Sequence, residues 1–127
     1  MSGLKPGTPM PTEIKLHQKT RRLEISYADG QRFEFTHEFL RVHSPSAEVR
    51  GHGPGQEVLQ TGKSSVEIVA LEPVGSYAVQ PRFSDGHNTG IYSWEYLYDL
   101  GLRRDHLWQQ YLGKLQAASA SREGRTS

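Results

Sequence analysis

Apolar residues alternate with polar ones in the first third of the chain and recur at helical spacing in the last third. The alternation occupies residues 14–16 and 23–27, and it resumes at 33–35 after a turn that contains Asp29 and Gly30. A period of two is typical of half-buried strands, and glycine takes the positive φ that a tight hairpin turn requires. The first third therefore predicts a set of antiparallel strands.

Two helices are expected in the last third of the chain. Ser93 is a suitable N-cap for a helix over 94–100, and Gly101 fits a left-handed residue that ends this helix. A second helix, over 104–115, has an apolar stripe at helical spacing formed by Leu107, Trp108, Tyr111, Leu112 and Leu115. Because such a stripe packs against another element, we expect the helical segment to lie on the sheet.

Shorter elements are expected in the central part of the chain. Thr36 is a suitable N-cap for a short helix, and Ser44, followed by a proline, is expected to cap another helical turn. A glycine-rich loop over 51–65 precedes two more strands at 66–70 and 77–79. The sequence thus predicts an α+β fold with mostly antiparallel sheet, short helices and a C-terminal helical segment.

The ordered region is expected to be a single domain over residues 13–116. Residues 1–12 contain three prolines and two glycines and show no periodicity, which predicts a flexible N-terminus. Residues 117–127 are mostly small, polar and charged, and this composition predicts a disordered tail.

Charge and composition exclude several classes of function. The chain has 15 Lys and Arg against 14 Asp and Glu, and binding to a phosphate backbone needs a clustered positive excess, so no nucleic-acid partner is expected. Without cysteine the chain can form neither disulfides nor thiolate metal sites. No apolar stretch approaches the roughly 20 residues that span a bilayer, and the N-terminus lacks the apolar segment of a secretory signal. We therefore expect no membrane association and a cytoplasmic location.

Catalytic motifs are missing or incomplete in the sequence. Residues 61–64 resemble the end of a phosphate-binding loop, but Glu57 stands where the motif requires a glycine, and a strand is expected where a helix should begin. The sequence has no nucleophile elbow and no His-x-Asp or His-x-Glu pair. We expect no catalytic residues and no enzyme activity by this chain alone.

Two stretches contain more polar and aromatic residues than turns require. They cover residues 40–53 and 83–97 and mix arginine, histidine, serine and aromatic residues near turns, where binding surfaces commonly lie. Arginine and aromatic residues are also frequent at binding hot spots. We predict a binding surface formed by Arg41, His43, Arg50, His52, His87, Tyr92 and Trp94. An open alternative is a weak iron or zinc site formed by His43, His52 and His87 with Asp85 or Glu48.

The same two stretches carry a family resemblance. The segments LRVHSPSAEVRGHGPGQ (40–56) and FSDGHNTGIYSWEYLYDLG (83–101) are similar to the gamma-butyrobetaine hydroxylase-like N-terminal domain, and the likeness covers roughly residues 14–112. In carnitine-pathway hydroxylases this domain precedes a separate catalytic domain that depends on iron and 2-oxoglutarate. The resemblance therefore implies an accessory domain without its enzyme.

The resemblance also implies that a zinc site is missing from this chain. The family domain holds a structural zinc through three Cys and one His, and in register these positions fall at about Ser44, Ser46, Val49 and His87. Hydroxyl and aliphatic side chains do not replace thiolates as zinc ligands. We therefore expect no zinc and no other cofactor at this place.

The functional expectation follows from the resemblance, with alternatives left open. Similar domains are also fused to nucleotide-binding iron–sulfur scaffold proteins. The main hypothesis is a small accessory, protein-interaction domain that assists iron or iron–sulfur metabolism, with an iron–sulfur scaffold or carrier as its partner. One alternative is a protein that binds iron or zinc through histidine and carboxylate ligands. Another is a subunit of an oxygenase or hydrolase complex.

Overall fold

Two small antiparallel sheets and four helices make up the structure, a computed structural model that describes residues 8–51 and 57–123. The first sheet has the order β1-β2-β3 and consists of β1 (Pro11–His17), β2 (Arg22–Tyr27) and β3 (Arg32–Thr36). The second has the order β4-β5-β6 and consists of β4 (Ile68–Val74), β5 (Ala78–Phe83) and β6 (Tyr92–Ser93). The predicted α+β class with antiparallel pairing is confirmed.

The first sheet forms as the alternation indicates. Leu23, Ile25 and Tyr27 on β2 are buried, as is Phe35 on β3, and they build one face of the core. Between these strands Gly30 has a φ of 90°, and its N–H donates to the carbonyl oxygen of Tyr27 at 3.0 Å. The predicted hairpin turn is therefore present at the expected glycine.

The second sheet is larger than the sequence indicates. β4 continues to Val74 and β5 to Phe83, beyond the strand ends expected at residues 70 and 79. β4 includes Pro73, and it lies at the edge of the sheet, where proline is tolerated. β6 was not expected, because a two-residue strand has no periodicity of its own. It pairs Tyr92 with Val79 and so brings the tyrosine ring into the core.

Two short helices follow the first sheet. α1 (His37–Val42) begins after Thr36, whose hydroxyl accepts from the N–H of Phe39 at 3.0 Å, as expected. α2 (Ala47–Arg50) is capped by Ser46 and not by Ser44, so that prediction was wrong. The reason is that the Ser44 hydroxyl bonds a histidine ring elsewhere in the fold, which leaves the Ser46 hydroxyl to accept from the N–H of Glu48 in the first turn of the helix.

The two C-terminal helices are α3 (Trp94–Leu102) and α4 (Arg104–Ala117). Ser93 caps α3 as predicted, accepting from the N–H of Tyr96 at 3.0 Å. Gly101, however, lies inside α3 and does not end it. A Cβ at this position would lie 2.5 Å from both Cδ atoms of the Phe33 ring, so glycine is needed here for close packing of the helix on the sheet.

The folded region extends past residue 116, where the sequence analysis placed its end. The carbonyl oxygens of Ser121 and Arg122 accept from the N–H groups of Gly62 and Ser64 at 3.2 and 3.0 Å. The Arg122 guanidinium forms two hydrogen bonds of 2.7 and 2.8 Å with the buried Glu38 carboxylate. At the other end, β1 already begins at Pro11. The remaining predictions, for residues 1–7 and 124–127, lie outside the described residues.

His37 is a fully buried titratable residue in the core beside β4. Its Nδ1 accepts from the N–H of Ile68 at 3.0 Å, and its Nε2 has no hydrogen-bond partner among the described residues. Burial lowers the pKa of His37, and the opposing effects of the Arg22 backbone and the Glu67 carboxylate do not offset it. A proton on Nδ1 would oppose the Ile68 N–H, so the ring must remain neutral in the folded protein.

The histidines make the stability of the fold sensitive to acid. The pKa values of His37, His43 and His87 all lie below the ordinary value of 6.5, and in each case burial is the largest cause. The unfolded chain therefore binds protons that the folded chain does not, so stability rises with pH in this range. We expect the free energy of unfolding to fall as the pH drops below about 6.5 and to keep falling down to the folded pKa values.

Urea unfolding at several pH values between 7.5 and 5 measures this dependence. His37→Gln should flatten the dependence of stability on pH, whereas His106→Gln, at an exposed position of α4, should leave it unchanged. Stability that is constant or that increases over this acid range would contradict the assignment of neutral buried rings.

Candidate functional site

A hydrogen-bond network joins the α1–α2 segment to the loop between β5 and β6. The Ser44 hydroxyl lies 2.8 Å from Nε2 of His87, and Nδ1 of the same ring lies 3.0 Å from the Glu48 carboxylate. The hydroxyls of Ser46 and Thr89 are 2.6 Å apart, and Thr89 also donates to Glu48 at 3.0 Å. Residues 43 positions apart in the chain are thus tied together by side chains alone.

The order Ser44, His87, Glu48 is that of a serine-hydrolase triad, but the hydroxyl cannot reach a substrate. Ser44 is 1% exposed, and its oxygen also accepts from the N–H of Ser46 at 3.2 Å. Gly90 packs so closely that a Cβ there would collide with the Ser44 hydroxyl. Nucleophilic attack requires an open approach to this oxygen. The network is therefore a structural connection.

The neutral state of His87 suits this connection. Burial lowers the pKa of the ring, as does the positive charge of Arg41, and the carboxylates of Glu48 and Asp85 do not offset them. Neutral His87 can donate from Nδ1 to Glu48 and accept at Nε2 from the Ser44 hydroxyl. Both ring nitrogens are then occupied.

An ion-pair cluster around the buried Arg41 lies next to this network. Asp85 lies 2.9 Å from Nε of Arg41 and 2.6 Å from Nζ of Lys63, and Arg41 also donates to Gln60 at 3.0 Å. Burial raises the pKa of Asp85, but hydrogen bonds from Lys63 and the His87 N–H, with the two cations, outweigh this and hold it below its usual range. The cluster fixes the 57–65 segment against α1.

The residues at the family's zinc positions do not fit a zinc ion. The hydroxyls of Ser44 and Ser46 are used in the network, and Val49 is a buried aliphatic side chain. Both nitrogens of His87 have hydrogen-bond partners, so no lone pair is free for a metal. Within residues 8–51 and 57–123, no three His, Asp or Glu side chains come together as a metal-binding group.

An open groove of about 560 Å³ lies between the α1–α2 segment and α4. Its walls are largely apolar, with Val42 from α1, Val49 from α2, Leu59 from the 57–65 segment and Leu107 from α4. The exposed Val58 borders it with 52% of its surface accessible. A concave apolar surface of this volume is of the size that proteins use for ligands and peptide side chains.

Two tyrosines hold the walls of this groove in place. The hydroxyl of Tyr111 donates to the carbonyl oxygen of Gln60 at 2.6 Å, and that of Tyr96 donates to the carbonyl oxygen of His43 at 2.5 Å. Burial raises the pKa of Tyr111 to about 12, so its hydroxyl remains a donor at neutral pH. The groove is therefore formed by pinned segments and is present before any partner arrives.

Two cations without ion partners lie on the rim of the groove. Within the part of the chain that the structure describes, neither Arg50 nor Lys114 forms an ion pair, and the Arg50 guanidinium lies 5.9 Å from the centroid of the Tyr96 ring. Glu57 also lines the groove. Burial lowers the pKa of His43 in the same groove, and the charges of Lys114 and Arg103 lower it further. The charged residues of the lining are thus two cations, Arg50 and Lys114, against one carboxylate, Glu57, which is a formal excess of one positive charge.

A second hollow of about 330 Å³ differs in this respect, because its cations are paired. Arg22 lies 3.5 Å from the Glu34 carboxylate, and Arg104 donates to the Glu34 carbonyl oxygen at 2.7 Å. Arg122 pairs with Glu38. Of the two hollows, only the larger presents cations that still lack a carboxylate within the described residues.

The structure divides the predicted binding surface into two groups. His43 and Arg50 line the groove. Arg41, His87, Tyr92 and Trp94 are buried, and they support the groove region and the core from within. His52 lies outside the described residues. The predicted metal site of His43, His52, Asp85 and His87 is therefore described at three of its four ligands. Sequence reasoning missed Lys114, whose only signal was its place beside the apolar stripe of α4.

Comparison with known proteins gives the family and similar solved structures. The family model described as gamma-butyrobetaine hydroxylase-like, N-terminal matches residues 14–98. Two NMR solution structures are 45% and 52% identical to the chain, with TM-scores of 0.82 and 0.81; they cover 95% and 98% of this chain, which in turn covers 95% and 92% of theirs. No curated relative matches.

A crystal structure from Acidithiobacillus ferrooxidans is also similar. That protein, of unknown function and from the DUF971 family, is 44% identical with a TM-score of 0.63, over 77% of this chain and 98% of its own. Among the described helices, none has the length and apolar character needed to cross a membrane.

Proposed function

The chain belongs to the gamma-butyrobetaine hydroxylase-like N-terminal domain family, and from this premise we propose that it is a non-catalytic accessory domain that binds a protein partner. The observation that carries the proposal is the preformed groove between the α1–α2 segment and α4, with its apolar walls and the cations Arg50 and Lys114, which form no ion pair within the described residues. Hydrophobic surface surrounded by charge is typical of protein interaction sites.

A binding role is favoured over catalysis by the state of the reactive groups. Ser44 is buried and hydrogen-bonded, and His87 has both nitrogens engaged. Among the described residues, His43 is the histidine that lines the groove, with Nδ1 2.9 Å from the carbonyl oxygen of Phe39. A neutral imidazole on an open groove can form a hydrogen bond with a partner. This role in binding does not require a nucleophilic side chain next to the imidazole.

The cellular setting of the proposal rests on the family likeness. Related domains accompany an iron-dependent catalytic domain or an iron–sulfur scaffold protein, so we place the partner in iron or iron–sulfur metabolism, as a scaffold or carrier in the cytoplasm. The chain contains no cysteine, so it would assist such a partner without binding an iron–sulfur cluster through thiolates.

Quantitative affinity purification from cells of the source organism tests the proposal. The chain and its double variant Arg50→Glu/Lys114→Glu serve as baits, together with the control Lys19→Glu/Arg82→Glu, which makes the same charge change at exposed positions away from the groove. We expect the groove variant to recover its specific partner in an amount about tenfold lower or less, because the two introduced carboxylates repel a partner surface that is complementary to cations.

The control variant should retain the partner, and chemical cross-links should join it to the groove segments. A partner held equally by all three baits would contradict binding through the groove. Partners without any relation to iron or to cluster assembly would contradict the proposed setting.

A further inference from the structure

The chemistry of the groove indicates what kind of segment the partner presents. Arg50 is exposed on α2, Lys114 is exposed on α4, and no ion pair joins either to a carboxylate in the described part of the chain. Glu57 also lines the groove, so the two cations exceed the acidic residues of the lining by one charge. Charges that stay unpaired beside a concave surface favour a partner of opposite sign, since a segment of like charge is repelled. The occupant should therefore carry carboxylates.

The walls of the groove require apolar side chains as well. Val42, Val49 and Leu107 face the interior of the groove, and Val58 is exposed at its rim. A purely acidic ligand would leave these surfaces in contact with water or cover them with charge, and both outcomes give up the favourable burial of apolar area. A volume of about 560 Å³ leaves room for apolar side chains between the two cations.

A third contribution comes from His43. Its Nδ1 lies 2.9 Å from the Phe39 carbonyl oxygen, so in the neutral ring Nδ1 carries the proton and Nε2 is an acceptor. No hydrogen bond of Nε2 is found among the described residues. A backbone N–H of a bound peptide could donate to this nitrogen. An ionised small carboxylate, such as a fatty acid, has no hydrogen-bond donor for it.

We infer that the groove binds an acidic, amphipathic peptide segment of the partner protein, with apolar side chains between α1–α2 and α4 and carboxylates at Arg50 and Lys114. This inference rests on the proposed function, because it names the part of the partner that the same groove recognises. Such a segment binds in the manner of peptide recognition by a groove, with apolar anchors and charged flanks.

A displayed library of random 12-residue peptides, selected on the immobilised full chain, tests the inference. We expect the selected peptides to be enriched in Asp and Glu next to Leu, Ile or Phe. The strongest peptide, titrated into ¹⁵N-labelled protein, should shift amide signals of Val42, Val49, Leu107 and Ala117. Its affinity should fall about tenfold or more for Arg50→Glu/Lys114→Glu and remain unchanged for Lys19→Glu/Arg82→Glu.

Each contrary outcome overturns a defined part of the account. Neutral or basic peptides that bind in the groove would overturn the inferred acidity and leave the proposed interaction function intact. Peptides that bind away from the groove, with no loss for the groove variant, would contradict both. Displacement of every selected peptide by decanoate at lower concentration would overturn the inference in favour of a small carboxylate ligand.

Discussion

Gly101→Ala is expected to lower the free energy of unfolding by about 3 kcal/mol, because an overpacked core residue must push its neighbours apart. The new Cβ would lie 2.5 Å from both Cδ atoms of Phe33. That ring cannot move away freely, since it is buried against the rings of Tyr27, Phe35 and Tyr98. A loss of this size is a large part of the total stability of a small domain.

The matched control is Gly113→Ala in α4, where a Cβ would meet nothing within 4 Å. Alanine is a better helix former than glycine, so this variant should gain up to about 1 kcal/mol. Chemical denaturation of both variants measures the contrast, and Gly101→Ala combined with Phe33→Leu should recover part of the loss. Equal effects of the two alanines would show that Gly101 is not packed against the sheet as described.

Asp85→Ala is expected to cost about 3 kcal/mol, because it leaves two partly or fully buried cations without their carboxylate. The side chain of Arg41 is 8% exposed and those of Lys63 and Asp85 are 20% and 24% exposed, so water compensates only in part for the lost partner, mainly at Lys63. The loop that carries His87 would also lose the bond from its N–H to Asp85, at 3.2 Å. The change therefore loosens the connection between α1 and the β5–β6 loop.

Glu72→Ala is the control for this prediction. Glu72 also pairs with an arginine, Arg82, at 3.1 Å, but both side chains are more than half exposed. Exposed ion pairs contribute on the order of 0.5 kcal/mol or less, so thermal and urea unfolding should barely change. Similar losses for Asp85→Ala and Glu72→Ala would mean that burial does not determine the strength of the Arg41–Asp85 pair.

Local features of the sequence predicted local features of the fold. The Asp29–Gly30 turn and the caps Thr36 and Ser93 are confirmed because each depends on residues within a few positions of itself. The wrong assignments have the opposite cause. Gly101 was expected to end a helix because the sequence does not show that Phe33 packs against it, and Ser44 was expected to cap one because its bond to His87 spans 43 positions.

The candidate site could be predicted only in part for the same reason. His43 and Arg50 lie in a stretch that is dense in functional residue types, and both line the groove. Lys114 comes from α4, more than 60 positions later in the chain, and nothing near it in sequence indicates a shared surface. Arg41 was expected on the surface, as arginine usually is, but its pairing with Asp85 allows it to be buried.

The shape of the groove depends on the hydrogen-bond network around His87. Ser44, Ser46 and His87 hold α1 and α2 in position, and those helices carry Val42, His43 and Val49 to the groove. At the positions where the family resemblance places a zinc site, side-chain hydrogen bonds join the α1–α2 segment to the loop between β5 and β6. The binding surface is thus kept in shape by packing and hydrogen bonds.

The central claim is that packing and hydrogen bonds hold this site in shape without a metal ion. It is tested most directly on protein purified without a histidine tag, by measuring its metal content and its thermal unfolding with and without EDTA. The account predicts substoichiometric zinc and iron and the same unfolding temperature with and without the chelator. One tightly bound ion per chain, with a clear drop in unfolding temperature when EDTA removes it, would contradict the account and support the alternative of a histidine and carboxylate metal site.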